Sequence, residues 1–430
     1  MSARGLLIAA PSSGAGKTTV TLGVLRALDR ADTAVAGGKS GPDYIDPQFH
    51  RAACGVPSVT LDAWAMDADT LRHRAVAQPG DLLVVEGAMG ALDAATDGTG
   101  SAADLATTLG VPVVLVLDIA KQGQSAPLAA AGLRALRPDL EVAGVILNRA
   151  GSARHGAMAE RAMAEAGLTV FGTLPRRSDL VLPERHLGLV QAAELPELDA
   201  ALDRLADLVS THVDLPALTA AARPLSSAAT ADRLPPLGQR IAVARDDAFA
   251  FAYPHLLSDW QKQGAEVLPF SPLADEGPGE TADAVFLPGG YPELHAGKLA
   301  AAETFRAGMV GAATRDARIY GECGGYMTLG EGLIDADGTR HPMLDLLPVT
   351  TSFARRRMTL GYRRLSPRSG APWTCPLMGH EIHYATPVAE GPGVPLFDAT
   401  DAECTSLAPM GLQRGRIAGS FAHVIALGRD

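Results

Sequence analysis

The first half of the chain alternates short, continuously apolar runs with stretches rich in alanine and leucine. Runs at 5–10 (GLLIAA), 81–87 (DLLVVEG), 111–120 (VPVVLVLDIA), 141–148 (EVAGVILN) and 168–174 (LTVFGTL) predict strands, and 101–110, 124–136 and 155–166 predict helices between them. A strand buried on both faces has no polar side to alternate, so this pattern predicts a parallel sheet covered on both faces. The pattern restarts with RIAVARD (240–246), AEVLPF (265–270), DAVFLPGG (283–290) and ARIYGECGG (317–325). Between the two series, Val213–Gln239 is rich in proline, serine and alanine and reads as a linker. No repeat at a fixed period is present. The expectation is one α/β domain over 1–212, a linker over 213–239 and a second α/β domain over 240–430.

Composition narrows the partners. At 430 residues, 47% hydrophobic and 20% charged, the chain can build two or three sizeable cores. A net charge of −11 argues against nucleic acid or an acidic membrane surface, so an anionic substrate needs a local basic pocket or a metal. The four cysteines, Cys54, Cys323, Cys375 and Cys404, share no CxxC spacing, which indicates neither zinc nor a disulfide framework. No export signal opens the chain and no apolar run reaches membrane-spanning length, so a cytoplasmic protein with small-molecule partners is expected. A homodimer is compatible with this reading.

The stretch APSSGAGKTTV (10–20) follows the first strand and opens a helix. Glycines there let backbone N–H groups face phosphate oxygens, and the helix N-terminus adds its positive end. Lys17 would reach the terminal phosphates and Thr18 would place its hydroxyl on Mg²⁺. Pro11 stands where the strict pattern asks for glycine, but Gly14, Gly16, Lys17, Thr18 and Thr19 keep the mechanics of ATP binding. Glu86 ends a buried strand in LVVEGAMG, a place for a carboxylate serving the metal or its waters. In GPDYIDP, Asp43 and Asp46 are candidates for Mg²⁺ binding or substrate orientation beside such a site. Asn148 ends another strand, where an amide can read an adenine edge. A turn asparagine accounts for the position equally well.

In GECGGYM (321–327), Cys323 follows a strand-like run and sits among three glycines. A sharp strand-to-helix turn pushes its central side chain out of the sheet, where a thiol can attack a substrate. Such a nucleophile needs a base and an oxyanion site. His423 in GSFAHV is the candidate base, and Gly289, Gly290 and Gly324 are candidate oxyanion donors. His380 and His383 flank Glu381, but on a strand they face opposite sides and cannot share one ion.

Taken in order, APSSGAGKTTVTLG, GPDYIDPQFH, LVVEGAMG, DGTGSAADLA, FLPGGYPE, GECGGYM and GHEIHY resemble the cobyrinic/hydrogenobyrinic acid a,c-diamide synthase family. These are cobalamin-pathway amidotransferases with a fused ATP-dependent synthetase domain, and the resemblance covers essentially the whole chain. It implies an N-terminal P-loop domain like that of dethiobiotin synthetase and a C-terminal class I glutaminase-like α/β domain. It implies Cys323 as glutaminase nucleophile with His423 as its partner. Ordinary class I glutaminases carry a glutamate two residues after that histidine; here Ile425 stands there, which leaves the orienting partner of His423 open. Asp43, Tyr44, Asp46, Glu86 and Asp93 match positions around Mg·ATP and the reacting carboxylate. Among them Glu86 and Asp46 are expected in catalysis, and Thr18, Asp43 and Glu86 at the metal.

The resemblance further implies L-glutamine as nitrogen donor and a corrinoid polycarboxylate as acceptor, amidated at its a and c acetates through acyl phosphates. Metal-free hydrogenobyrinic acid is favoured over cobalt-bearing cobyrinic acid by the spelling APSSGAGKTT. A P-loop switch ATPase would leave the Cys323 domain idle, and a corrinoid-binding protein would need neither Lys17 nor Cys323. A cobyric acid synthase, which amidates other side chains, fits GPDYIDP and LVVEGAMG less well.

Overall fold

The computed structural model describes residues 3–177, 179–180, 183–185, 188–226 and 230–428. They fall into two compact units, Met1–Ala231 and Asp232–Asp430.

The first unit is built on seven parallel strands: β1 (Arg4–Ala9), β2 (Val35–Ser40), β3 (Val59–Leu61), β4 (Leu82–Glu86), β5 (Val113–Asp118), β6 (Val142–Ala150) and β7 (Val170–Pro175), in the order β3-β2-β4-β1-β5-β6-β7. Five of these lie where the apolar runs place them. Strands β2 and β3 are additional: VAGGKS carries two glycines and a lysine, and VTL is only three residues long. Helix α1 (Lys17–Arg30) follows β1, and α2 (Asp46–Cys54) follows β2. In an open parallel sheet, ligands meet the carboxyl ends of the strands, and both loops leave from that edge.

Parts of the stretch read as a linker are folded. Asp214 caps a helix over Leu215–Ala221 by accepting the Ala217 N–H at 2.9 Å. Arg223–Pro224 then pairs antiparallel with β1. Farther along, the carbonyls of Leu234 and Pro235 accept bonds from Gln263 Nε2 and Trp373 Nε1, both at 2.9 Å, inside the second unit. Buried Leu218, Leu225, Leu234 and Leu237 supply the apolar anchors that the surrounding proline, serine and alanine obscure.

The second unit places five parallel strands side by side: Glu266–Phe270, Arg240–Ala244, Ala284–Leu287, Arg318–Glu322 and Ile417–Ser420. The sheet continues antiparallel through Met410–Arg414, Val394–Thr400, Thr359–Pro367, Leu377–His383 and Ala422–Leu427. This antiparallel half has polar residues spread along its strands and was not predicted. It matters for the site, because it brings Leu377–His383 beside Ala422–Leu427 with His380 opposite His423.

Candidate active sites

In the first unit, β1 ends at Ala9 and the chain loops into α1. Gly16 has φ +91°, and a Cβ there would lie 2.3 Å from Asn148 Nδ2, so both conformation and space demand glycine. Asn148, on β6, donates from Nδ2 to Ala15 O at 2.9 Å, and its Oδ1 accepts the Arg149 N–H at 2.9 Å. Its amide therefore braces the loop from β6, two strands along the sheet from β1. Lys17 is buried and donates to Ser12 O at 3.3 Å. Burial lowers its pKa, opposed by Glu86, Asp46 and Asp93.

Behind Lys17 lies a buried charge cluster. Thr18 Oγ1 donates to Glu86 Oε1 at 2.6 Å, and Lys39 Nζ donates to the same oxygen at 3.0 Å. His50 Nε2 meets Glu86 Oε2 at 2.8 Å, with His50 Nδ1 3.0 Å from Ser58 Oγ. Lys39 also bonds Asp46 and lies 3.5 Å from Asp43 Oδ2. Asp43 Oδ1 accepts the N–H groups of Ile45 and Asp46 at 2.8 and 3.0 Å, fixing the GPDYIDP turn. Burial pushes the Glu86 carboxyl up, but Lys39, His50 and Thr18 outweigh it and hold the group well below the carboxylate range. Burial likewise lowers Lys39, yet Asp46, Glu86 and Asp43 hold its ammonium well above the usual lysine value. Asp46 is pushed up by burial and by Asp43.

In the second unit, the strand Arg318–Glu322 runs straight into Cys323, whose φ of 46° and ψ of −105° are rare for a residue with a side chain. The helix Gly324–Leu329 starts at once, so the turn is the predicted elbow. Cys323 Sγ donates to Ile382 O at 3.6 Å. Burial raises the thiol pKa, as does Glu293, while the Gly324 N–H works the other way. His423 is fully buried, and burial together with His380 and His383 brings its pKa to about 3. Gly289 separates the two: a Cβ there would lie 3.1 Å from His423 Nε2, 2.3 Å from its Cε1 and 3.2 Å from Cys323 Cβ. The amide nitrogen of Gly290 lies 3.0 Å from where a Cβ on Gly324 would sit, so all three glycines border the elbow.

Residues 6–190 match the CobQ/CobB/MinD/ParA nucleotide binding domain, and residues 240–430 match the CobB/CobQ-like glutamine amidotransferase domain. A hydrogenobyrinate a,c-diamide synthase from Sinorhizobium sp is 55% identical over 98% of both chains. Its counterpart from Rhizobium meliloti (strain 1021) is 55% identical, covering 98% of this chain and 99% of its own, and the one from Brucella anthropi is 54% identical over 98% of each. The chain belongs to the hydrogenobyrinate a,c-diamide synthase family. Like the domains it matches, it is an ATP-using, amide-forming ligase that takes nitrogen from glutamine.

Against this family assignment, Lys39, His50 and Glu322 are the site residues the sequence did not single out. A lysine inside the buried run VAGGKS, ahead of two aspartates, is the signal for the first. Tyr44 is buried beside Asp43, whereas Asp93 is exposed and accepts the Gly90 N–H at 2.7 Å. His380 and His383 do alternate across their strand: His380 meets the edge of Tyr362 at 5.3 Å, and His383 stacks on Phe421 at 4.0 Å. Among the described residues, no group of three or more His, Cys, Asp or Glu side chains could hold a metal ion, and no helix is long and apolar enough to cross a membrane. Thr18, having given its hydrogen to Glu86, keeps its lone pairs, and Asp43 keeps Oδ2 half-buried. So few protein donors fit a hydrated divalent cation shared with phosphates, not an all-protein cage.

Proposed function

We propose that this chain amidates the a and c acetate carboxylates of hydrogenobyrinic acid, using ATP for activation and glutamine for nitrogen. A carboxylate resists attack by ammonia because hydroxide is a poor leaving group and the anion repels nucleophiles. In the first unit a substrate carboxylate oxygen attacks the γ-phosphorus of ATP. The bond to the bridging oxygen breaks, ADP leaves and an acyl phosphate forms. Ammonia then adds to the acyl carbon and phosphate departs. Lys17 and the N–H groups around Gly14, Gly16 and Thr19 neutralise the phosphates. Thr18, Asp43 and Glu86 would hold Mg²⁺, directly or through water, and that ion would supply charge neutralisation at the β- and γ-phosphates. Asp46, Tyr44 and Asp93 would orient the acceptor carboxylate. Asn148 acts as a brace of the ATP loop.

In the second unit Cys323 attacks the side-chain amide carbon of glutamine and passes its proton through His423 to the departing ammonia. Water then releases glutamate from the thioester. Gly290 and Gly324 N–H groups receive the oxyanion. The observation that carries this reading is the pairing of Cys323 and His423 across Gly289, in a chain whose other unit holds a P-loop. The metal-free macrocycle is chosen because the similar curated proteins bear its name. The test is Cys323→Ser supplied with Mg·ATP, hydrogenobyrinic acid and either glutamine or an ammonium salt. Amide formation with ammonia and none with glutamine is the expected result. Loss with both donors would overturn the two-site scheme.

A further inference from the structure

A histidine that must take a proton on Nε2 works only when something holds the other proton on Nδ1. Ile425, the position where such a partner would follow His423 in sequence, is buried, and its carbonyl accepts from His255 Nε2 at 2.9 Å. The residue just before the nucleophile approaches the ring from another strand. Glu322 Oε2 lies 3.8 Å from His423 Nδ1, and both side chains are buried. The other oxygen, Oε1, accepts the Val424 N–H at 3.0 Å, tying the carboxyl to the strand that carries the histidine. Backbone pairing fixes the approach, since Glu322 stands opposite Ser420, whose carbonyl accepts the Cys323 N–H at 2.8 Å.

We propose that Glu322 is the positioning residue for His423, its carboxylate receiving the Nδ1 proton so that Nε2 faces Cys323. This rests on the glutaminase reading of the second unit. The 3.8 Å separation closes to a hydrogen bond by a shift of about 1 Å, within the looseness of resting catalytic contacts. Glu381, another nearby carboxylate, is committed to Arg363 and His383. Burial raises Glu322 to about 8, offset in part by the Val424 N–H. Tyr320 faces Glu322 from its own strand, and His380 and His383 act on His423 from the neighbouring one. Cys323 is faced by Glu293 and Glu381. The ionised carboxylate is the form that accepts the proton, so turnover rises with pH through Glu322 ionisation.

The experiment is steady-state glutamine hydrolysis by the full chain, wild type against Glu322→Gln and Glu322→Asp, across pH. Glutamine at 322 keeps the Val424 bond through its amide oxygen but aims an N–H at Nδ1, forcing the ring proton onto Nε2. A purely structural role would survive that change. The expected result is kcat lower by ~10²–10⁴-fold in Glu322→Gln, as for a reversed tautomer in a hydrolase triad, with KM for glutamine within about twofold. The alkaline rise seen in the wild type should vanish, and Glu322→Asp should recover part of the rate. Iodoacetamide alkylation of Cys323 adds a readout without glutamine: slower in Glu322→Gln if the base is misaligned, faster if the variant is unfolded, in which case Glu322→Asp and the wild-type pH limb decide. Glu322→Gln turning over like the wild type, or keeping the same limb, overturns the proposal. If the wild type alkylates normally but releases no glutamate, the glutaminase reading itself fails.

Discussion

Lys39 Nζ lies 3.0 Å from Glu86 Oε1, the same oxygen that takes the Thr18 hydroxyl hydrogen at 2.6 Å. One carboxylate thus joins the first turn of α1 to the end of β2 through the end of β4. Lys39 is the buried cation among Asp43, Asp46 and Glu86. Lys39→Met leaves three crowded carboxylates without it and should lower the stability of the first unit by about 3–5 kcal/mol. Denaturant unfolding measures this, and a change below about 1 kcal/mol would contradict the role. The Glu86 contribution is present above its unfolded pKa of 4.5 and is lost as pH falls through its depressed folded value. That of Lys39 is present below the unfolded lysine value and is lost as pH rises through its raised one.

Lys17→Ala should stop amide formation with glutamine and with ammonia alike, by ~10²-fold or more, because the phosphate charge loses its nearest cation. Glutamate release by the second unit checks that the chain is still folded. Normal amidation in this variant would remove the P-loop from the mechanism.

Gly289→Ala should silence glutamine hydrolysis. The added methyl would sit 2.3 Å from His423 Cε1, so the ring must move. Displacing a catalytic group by about 1 Å costs roughly 10²-fold. Glutamate release measures it, and a rate within about threefold of the wild type would show that His423 tolerates displacement.

Glu322 and His423 set opposite pH slopes on stability. Glu322 rises from 4.5 unfolded to about 8 folded, so its contribution falls as pH climbs between those values. His423 drops from 6.5 to about 3 and His380 to about 4, so theirs falls as pH drops below 6.5. Between pH 6.5 and 8 the second unit should therefore lose stability by up to ~1.4 kcal/mol per pH unit from Glu322. Glu322→Gln should remove that share of the slope in unfolding followed by tryptophan fluorescence. An identical slope in both proteins would contradict the assignment.

The parallel cores were legible because buried strands are apolar without interruption, and the glycines of the P-loop and elbow mark turns only they can make. What was hidden has physical reasons. Lys39 is buried on a glycine-bearing strand, where charge and low strand propensity argue against a core element, yet three carboxylates stabilise it there. The antiparallel half of the second sheet carries polar residues along strands such as Thr359–Pro367, which blurs their period. Glu322 was in view within GECGGYM, but only the pairing of distant strands puts it beside His423.

The central claim is that one chain carries nitrogen from glutamine to an ATP-activated corrin carboxylate. Mass spectrometry after incubation with Mg·ATP, amide-¹⁵N glutamine and hydrogenobyrinic acid tests it most directly, with cobyrinic acid in a parallel reaction. A diamide of the metal-free acid labelled at both new amides is the expected result, and product from both acids would show that the pocket ignores the metal. No amide from either acid, or an amide without label, would contradict it.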